Sequence, residues 1–345
     1  MKNTKKLIDI FIIAMFVFLC ASTALRTVAL FTAFNGQTMH FEDSITFVLS
    51  AVFAAGATVL FLSALFLVPK QYRLAPNCSA PEAFIPSGIL SVALLFMSFA
   101  MFARAYAQRG IFASGVALVI KHIPTVLGIF ALLSAAFFFL NILITKRTAH
   151  QKAVLGMCTV VFLALYGAYL YFSKDIHPTN SPNKIIDQMA YFSSAIFFLF
   201  ETRISLGRDL WRGYISFGLI STLLTGYSAI PALIYHFASS ASISNSVTES
   251  VLTLTLFLYI LTKLLLTRKL PSDDQCKMAS AIERIAAKRE GELAERRSAA
   301  LSRDYNSNEE NDAQDTDASG SDTNESGEAE GQIAFEIDPP SKADE

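Results

Sequence analysis

The chain has 345 residues, of which 53% are hydrophobic and 17% are charged, and its formal net charge is −1. A soluble protein usually carries about a quarter of charged residues, so this composition argues against an ordinary soluble domain. The average conceals two regions, because residues 1–270 are mostly long apolar runs whereas residues 271–345 are polar. The net charge sums these two regions and therefore indicates nothing about partners; we predict no nucleic-acid partner.

Eight apolar segments are long enough to cross a lipid bilayer. A spanning helix needs about 20 mostly apolar residues, because lipid offers the backbone no hydrogen-bond partners. The sequence therefore predicts an all-α, polytopic transmembrane helix bundle whose main partner is the bilayer. The predicted spans are 7–34, 44–69, 85–106, 124–145, 153–173, 185–204, 213–237 and 247–267.

The amino terminus, "MKNTKKLIDIFIIAMFVFLCASTALRTVAL", has the basic start and apolar run of a signal peptide. The sequence Ser22-Thr23-Ala24 resembles a cleavage site. However, Asp9 interrupts the run, and apolar residues continue to Phe34. We therefore favour an uncleaved first span, preceded by a short cytosolic segment 1–6, over a signal peptide.

The distribution of Lys and Arg predicts the orientation in the membrane, because basic residues concentrate in cytoplasmic loops. With the amino terminus inside, fourteen basic residues lie at the cytoplasmic side and five at the outer side. We therefore expect a multi-pass protein of the cell membrane with both termini in the cytoplasm. The five outer residues are Arg104, Arg109, Lys121, Lys174 and Lys184.

Residues 107–123, "AQRGIFASGVALVIKHI", are the weak point of this topology. The segment is short and flanked by charge, which favours an outer interfacial or re-entrant segment followed by a helix that starts at Pro124. If the segment spans the membrane instead, the topology downstream of it inverts.

Three pairs of segments match in the same order and indicate an internal repeat. A duplication would divide the membrane region into residues 7–147 and 148–270, two parallel four-helix halves with their interface as the first place for a cavity. Chance similarity between apolar helices is the competing explanation. The matched pairs are "DSITFVLSAVF" (43–53) with "DQMAYFSSAIF" (187–197), "IPSGILSVAL" (85–94) with "ISFGLISTLL" (215–224), and "FLNILITK" (139–146) with "FLYILTK" (257–263).

A charged cluster ends the sixth predicted span. Glu201 lies about 25 Å along that helix and therefore close to the inner boundary, where an unpaired acid is costly. We expect a basic partner for it: Arg203, Arg208, or a residue of a neighbouring helix. Arg203 is a second intramembrane candidate, while Arg208, Trp211 and Arg212 are typical of a cytoplasmic interface rich in anionic lipids.

Arg26 lies about two thirds along the first span, and it is a functional candidate because charge inside the bilayer is expensive. The alternative is that its side chain snorkels to the outer interface. Asp187 is a candidate partner for Arg26, and the repeat makes Asp43 the equivalent of Asp187. In the same alignment Glu201 has no acidic counterpart.

Catalytic and metal-binding motifs are missing from the sequence. HExxH, GxSxG and phosphate-loop patterns do not occur. The histidines lack helical ligand spacing, and the four cysteines lack CxxC spacing. We therefore predict no enzyme, no cofactor and no metal site.

The carboxyl-terminal region divides into two parts. Residues 271–303 are rich in helix formers and predict a basic cytosolic helix. Residues 304–345 hold fourteen acids and one base, Lys342, and such a composition predicts a disordered tail. The apolar sequence "IAFEI" (333–337) is a candidate docking strand for a cytosolic protein, and a solubilising tail is the alternative.

The order "FFLFETRISLGRDLWRGY" (197–214) followed by "SAIPALIYH" (228–236) resembles uncharacterised polytopic membrane proteins of anaerobic low-GC Gram-positive bacteria. The resemblance covers the sixth and seventh spans. That group carries no assigned activity, so the resemblance implies a membrane protein but no functional residues.

Two functions remain open at this point. A non-enzymatic membrane sensor or scaffold is the first hypothesis, because the tail is long and deep polar groups are scarce. A transporter of a small solute or lipid, with its pathway between the two halves, is the alternative. The sequence leaves the oligomeric state undetermined.

Overall fold

The computed structural model describes most of the membrane region and a short part of the chain after it. The chain divides into two compact units, Met1–Ala279 and Ser280–Glu345. Asp43, Asp209, the docking strand 333–337 and the whole tail 304–345 lie outside the described residues. The described residues are 2–35, 38, 40–42, 44–68, 83–108, 116–143, 149–172, 181–206, 208, 210–239, 247–267, 290–296 and 298.

The fold is all-α, as the sequence predicts, apart from one very small hairpin. Two-residue strands β1 (Phe34–Asn35) and β2 (His40–Phe41) pair antiparallel between the first two helices. Residues 290–296 are helical. The helices are α1 (Lys2–Thr32), α2 (Ile45–Leu62), α3 (Ala64–Leu67), α4 (Phe84–Ala107), α5 (Val116–Leu143), α6 (Ala149–Phe172), α7 (Pro182–Ser205), α8 (Trp211–Ser239) and α9 (Val247–Thr267).

Each of the eight predicted spans is helical, and the second of them, 44–69, is divided into α2 and α3. Within the described residues, seven are long and apolar enough to cross a membrane, which makes this a multi-pass membrane protein. The remaining long helix, α7, has 24 residues, as many as α4 and α6, but its first half is polar. Asn183, Lys184 and Asp187 are buried in the bundle, so their polarity does not face lipid.

The fourth predicted span begins earlier than expected. Pro124 lies inside α5, which already starts at Val116, rather than at the first turn of the helix. Residues 116–123 therefore belong to a long helix of 28 residues and are not a separate outer segment. Residues 109–115 lie outside the described residues.

Five helices close a ring. Helix α4 packs on α5, α5 on α6, and α6 on α7, while α9 packs on α4 and touches α7. Side chains meet across the ring as well as along it, since Phe138 of α5 contacts both Phe198 of α7 and Tyr259 of α9. The ring therefore has an interior, and that interior is filled with side chains.

Helix α8 lies behind this ring and joins it to the amino-terminal helices. It packs on α7 and α9 on one side and on α1 and α2 on the other. Of the seven candidate spans α8 is the most enclosed, with 78% of its apolar window buried. Gly218 and Gly226 allow its neighbours to approach closely, as expected where helices pack inside a membrane.

The two sequence halves pack differently. In the second half, α7 and α8 pack extensively, whereas the corresponding α2 and α4 make no comparable contact among the described residues. Instead α1 and α2 pack on α8, and α4 packs on α9. The helices of the first half are thus divided between two sides of the second half, and the ring takes helices from both.

Gly226 provides the first test of this packing. A Cβ atom at Gly226 would lie 2.8 Å from Leu19 Cδ1 and 3.1 Å from the Phe257 ring. We expect Gly226→Val to reduce stability by about 1–3 kcal/mol because it overpacks the contact of α8 with α1 and α9. The measurement is the midpoint of thermal unfolding of the purified protein in detergent.

The control is Gly56→Val, because no described atom beyond its chain neighbours and the backbone of its own helix lies within 4 Å of a Cβ at Gly56. We expect this variant to unfold at nearly the wild-type temperature. Equal losses in the two variants would contradict the packing of α8 between α1 and α9.

Candidate functional site

One end of the ring interior holds a buried ion pair. Glu249, in the first turn of α9, is 2% exposed. Arg104 Nη2, near the end of α4, donates to Glu249 Oε1 at 3.0 Å. The acid is enclosed while the arginine side chain remains 30% exposed, so Arg104 reaches Glu249 from the edge of the ring.

Tyrosine side chains surround this pair. Tyr166 of α6 and Tyr191 of α7 are fully buried, with their rings edge to face at 4.9 Å. The Tyr191 hydroxyl lies 3.0 Å from Thr253 Oγ1. Glu249 interacts electrostatically with both tyrosines, and Arg104 interacts with Tyr166 and Tyr169. We call Arg104, Glu249, Tyr166, Tyr169 and Tyr191 the Glu249 cluster.

Several polar atoms of the Glu249 cluster lack a well-formed hydrogen bond. Arg104 Nη1 and Glu249 Oε2 are buried without a well-formed partner, and the Tyr166 hydroxyl has only a weak hydrogen bond with Glu249. Each such group costs about 1–3 kcal/mol relative to a satisfied one. The closed cluster therefore carries an energetic cost that contact with water or with a polar ligand would relieve.

A second ion pair stands near the other end of α7 and α9. Lys263 Nζ lies 2.9 Å from Glu201 Oε1. The Tyr259 hydroxyl donates to both oxygens of Glu201, at 3.1 and 3.3 Å, and the Lys263 ammonium lies 5.5 Å from the centre of the Tyr259 ring. Glu201 thus has the basic partner that its position requires, and a neighbouring helix supplies it. Glu201, Tyr259 and Lys263 form the Glu201 cluster.

Aromatic side chains fill the space between the two clusters. The rings of Phe138, Phe198 and Tyr259 contact one another with centroids 5.2–5.7 Å apart. Phe162 stacks on Tyr166 at 5.7 Å. Glu249 and Lys263 are fourteen residues apart on α9, or about 21 Å along the helix. Among the buried side chains described between them, none on α9 is charged.

A third polar cluster joins α1 to α7 and α8. Arg26 is 1% exposed; its Nη2 donates to Asn183 Oδ1 at 2.9 Å and its Nη1 to the Tyr227 carbonyl. The guanidinium also lies 4.8 Å from the centre of the Tyr227 ring. Asp187 interacts electrostatically with Arg26 and accepts a hydrogen bond from Ser228.

The burial of Arg26 overturns the snorkelling alternative. The polar amino-terminal half of α7 and the carbonyl of Tyr227 provide partners inside the bundle, so the side chain has no need to reach the interface. Asp187, the candidate partner named from the sequence, lies in the same cluster.

The residues expected at the lipid interface divide into two groups. Arg203 and Arg208 are exposed, as a contact with lipid requires. Trp211 is only 8% exposed and packs edge to face on Tyr214 at 5.6 Å, so its ring is inside the bundle and not half in the headgroup region. Arg212 is partly buried, with an unpaired Nε.

Sequence reasoning missed Glu249 as a site residue. In the sequence, Arg104 and Lys263 count only among the basic residues that predict the topology, and nothing distinguishes Tyr166 or Tyr259. The available signal was an acid at the start of one apolar span and an arginine at the end of another. The pairing of these helices, which the sequence does not reveal, makes the two residues a site.

No protein-family model, curated protein or solved structure matches this chain. The candidate site therefore rests on the geometry of the chain itself. The resemblance to membrane proteins of Gram-positive bacteria stays a prediction.

The Arg26 cluster gives a second test. We expect Arg26→Leu to reduce stability by about 3–5 kcal/mol, because it removes a buried cation together with two hydrogen bonds to α7 and α8. Arg203→Leu, at an exposed arginine of α7, is the control and should change stability by less than about 0.5 kcal/mol. Thermal unfolding in detergent measures both, and equal effects would contradict the structural role of Arg26.

Proposed function

We propose that this integral membrane protein transports a small solute through the interior of the ring formed by α4, α5, α6, α7 and α9. The observation that carries the proposal is the presence of an ion pair near each end of one aromatic interior. Arg104–Glu249 joins α4 to α9, and Glu201–Lys263 joins α7 to α9. We interpret the two pairs as gates, both closed in this structure.

The energetics of the pairs suit this role. Glu201 and Lys263 are about one-fifth exposed, and ion pairs with access to water contribute only about 0–1 kcal/mol. The Arg104–Glu249 pair is more deeply buried, but opening it would hydrate the unpaired atoms of Arg104 and Glu249. The Glu201 gate can therefore open at low cost, whereas the Glu249 gate opens only when water or a solute compensates the buried carboxylate.

The orientation follows from the basic residues. With both termini in the cytoplasm, the Glu201 cluster faces the cytoplasm of the cell and the Glu249 cluster faces outward. The exposed Arg203 and Arg208 beside the Glu201 cluster then meet the inner leaflet, where anionic lipids attract them.

The buried polar groups favour transport over the sensor or scaffold expected first. That hypothesis depended on a scarcity of deep polar groups, whereas Arg26, Asp187 and Glu249 are all at most 3% exposed. Its other basis, the cytosolic tail and the protein partner that the tail would bind, lies outside the described residues. We propose no enzymatic reaction.

Accessibility of the ring interior tests transport without knowledge of the solute. Leu256 lies on the face of α9 shared by Glu249, Thr253 and Lys263 by helical spacing, and it is 0% exposed. We expect a cysteine at Leu256, in a variant without the native cysteines, to react with an impermeant methanethiosulfonate from both sides of the membrane. Oriented vesicles of either polarity provide the measurement.

Val251 is the matched control, because it belongs to the same helix but is 38% exposed on the outside of the bundle. Val251→Cys should be protected by lipid from both sides. A Leu256→Cys protein that is folded but does not react from either side would contradict the transport proposal. Reaction from one side alone would favour a sensor.

A further inference from the structure

The chemistry around Glu249 is that of a cation site. A carboxylate with one unpaired oxygen is enclosed by the rings of buried tyrosines. Aromatic rings attract cations through their negative faces, and organic ammonium groups are commonly recognised by such rings. Glu249 thus provides a full negative charge in a desolvated place beside the aromatic side chains of Tyr166 and Tyr191.

Arg104 occupies this site incompletely. A well-fitted arginine binds a carboxylate with two parallel hydrogen bonds, whereas Arg104 makes one, to Glu249 Oε1. Its Nη1 and Glu249 Oε2 both remain unpaired. Because Arg104 is 30% exposed and Glu249 only 3%, the arginine can withdraw to solvent while the acid stays in place.

The Glu201 cluster resembles the Glu249 cluster in that a carboxylate is paired with a cation beside tyrosine. It has a carboxylate, a tyrosine that binds it, and a partly exposed cation of the protein over the tyrosine ring. Each end of the ring therefore has a carboxylate, a tyrosine and a cation, and the cation is a side chain of the protein: Arg104 at one end and Lys263 at the other.

The interior between the clusters selects against compact ions. A small inorganic ion would lose its hydration among Phe138, Phe162 and Phe198 without receiving charged or polar groups in return. An organic cation spreads its charge over a larger apolar surface and interacts favourably with aromatic faces. The same rings that exclude the first kind of ion accommodate the second.

We infer that the transported solute is an organic cation that displaces Arg104 from Glu249 on entry and Lys263 from Glu201 on exit. The entry and exit of the solute rest on the proposed transport function. The cation site at Glu249 does not depend on that function. Exchange of one cation for another keeps the buried net charge unchanged, so entry leaves no uncompensated charge in the bundle.

Binding of a quaternary ammonium ion tests the inference. The full chain in lipid nanodiscs is dialysed against radiolabelled benzyltrimethylammonium or, as the anion of similar size, phenylmethanesulfonate. We expect saturable binding of the cation and none of the anion. Glu249→Gln should weaken cation binding at least tenfold, and Glu249→Asp, which keeps the charge, should retain most of it even if Glu249→Gln folds poorly.

Substitution of Arg104 discriminates further between two roles. If Arg104 competes with the bound cation, its removal strengthens binding, whereas if Arg104 supports the site, its removal weakens binding. Arg104→Gln removes the internal cation and should strengthen benzyltrimethylammonium binding severalfold. Arg203→Gln, at an exposed arginine outside the ring, should leave the affinity unchanged. Weaker binding in Arg104→Gln, equal binding of cation and anion, or binding independent of Glu249 would overturn the inference.

Uptake by proteoliposomes separates this inference from the transport proposal, since both probes carry a permanent charge and cross lipid poorly. Binding of the cation at Glu249 without uptake would keep the cation site and overturn transport. Uptake of phenylmethanesulfonate without that of benzyltrimethylammonium would keep transport and overturn the cation site.

Discussion

Pairing of buried charge across helices is the constraint on which the described bundle depends. A carboxylate in a low-dielectric interior is costly unless a base and hydrogen bonds compensate it. Three acids of the described helices interact with a base from another helix: Glu249 with Arg104, Glu201 with Lys263, and Asp187 with Arg26. These interactions favour the contacts of α9 with α4 and α7 and the contact of α1 with α7, in addition to the close packing of apolar side chains.

The three pairs are not equivalent. Arg26 is enclosed, makes two hydrogen bonds and joins α1 to the α7–α8 layer, so it serves the architecture. The other two pairs stand at the ends of the ring and retain partial access to water through their cations, since the Arg104 side chain is 30% exposed and that of Lys263 is 18% exposed. Those properties are unfavourable in a purely structural ion pair and useful in a gate, which must be able to break.

Much of the fold could be predicted from the sequence, because hydropathy and length determine where a membrane helix forms. The last span, 247–267, coincides with α9. The predictions were wrong where tertiary packing overrides the usual preference of a single residue type. Pro124 is tolerated inside α5, and Trp211 finds an aromatic partner inside the bundle although its residue type is common at interfaces.

The candidate site was less predictable. Glu201 and Asp187 were recognisable because an acid in an apolar segment demands a partner, yet the identity of the Glu201 partner, Lys263, depends on the packing of α7 against α9. Glu249 was not recognised because its position at a helix start resembles that of an ordinary loop acid. Glu249 differs from an ordinary loop acid only because the ring of helices brings Arg104 and Tyr166 next to it.

The central claim is that the two ion pairs close opposite ends of one ring independently, and spin-label distances test it most directly. One nitroxide pair at Phe172 and Val251 reports on the Glu249 end, and another at Phe139 and Leu265 reports on the Glu201 end; all four side chains are exposed. We expect Arg104→Gln to lengthen only the first distance and Lys263→Gln only the second. Unchanged distances, or both lengthening in either variant, would contradict the account.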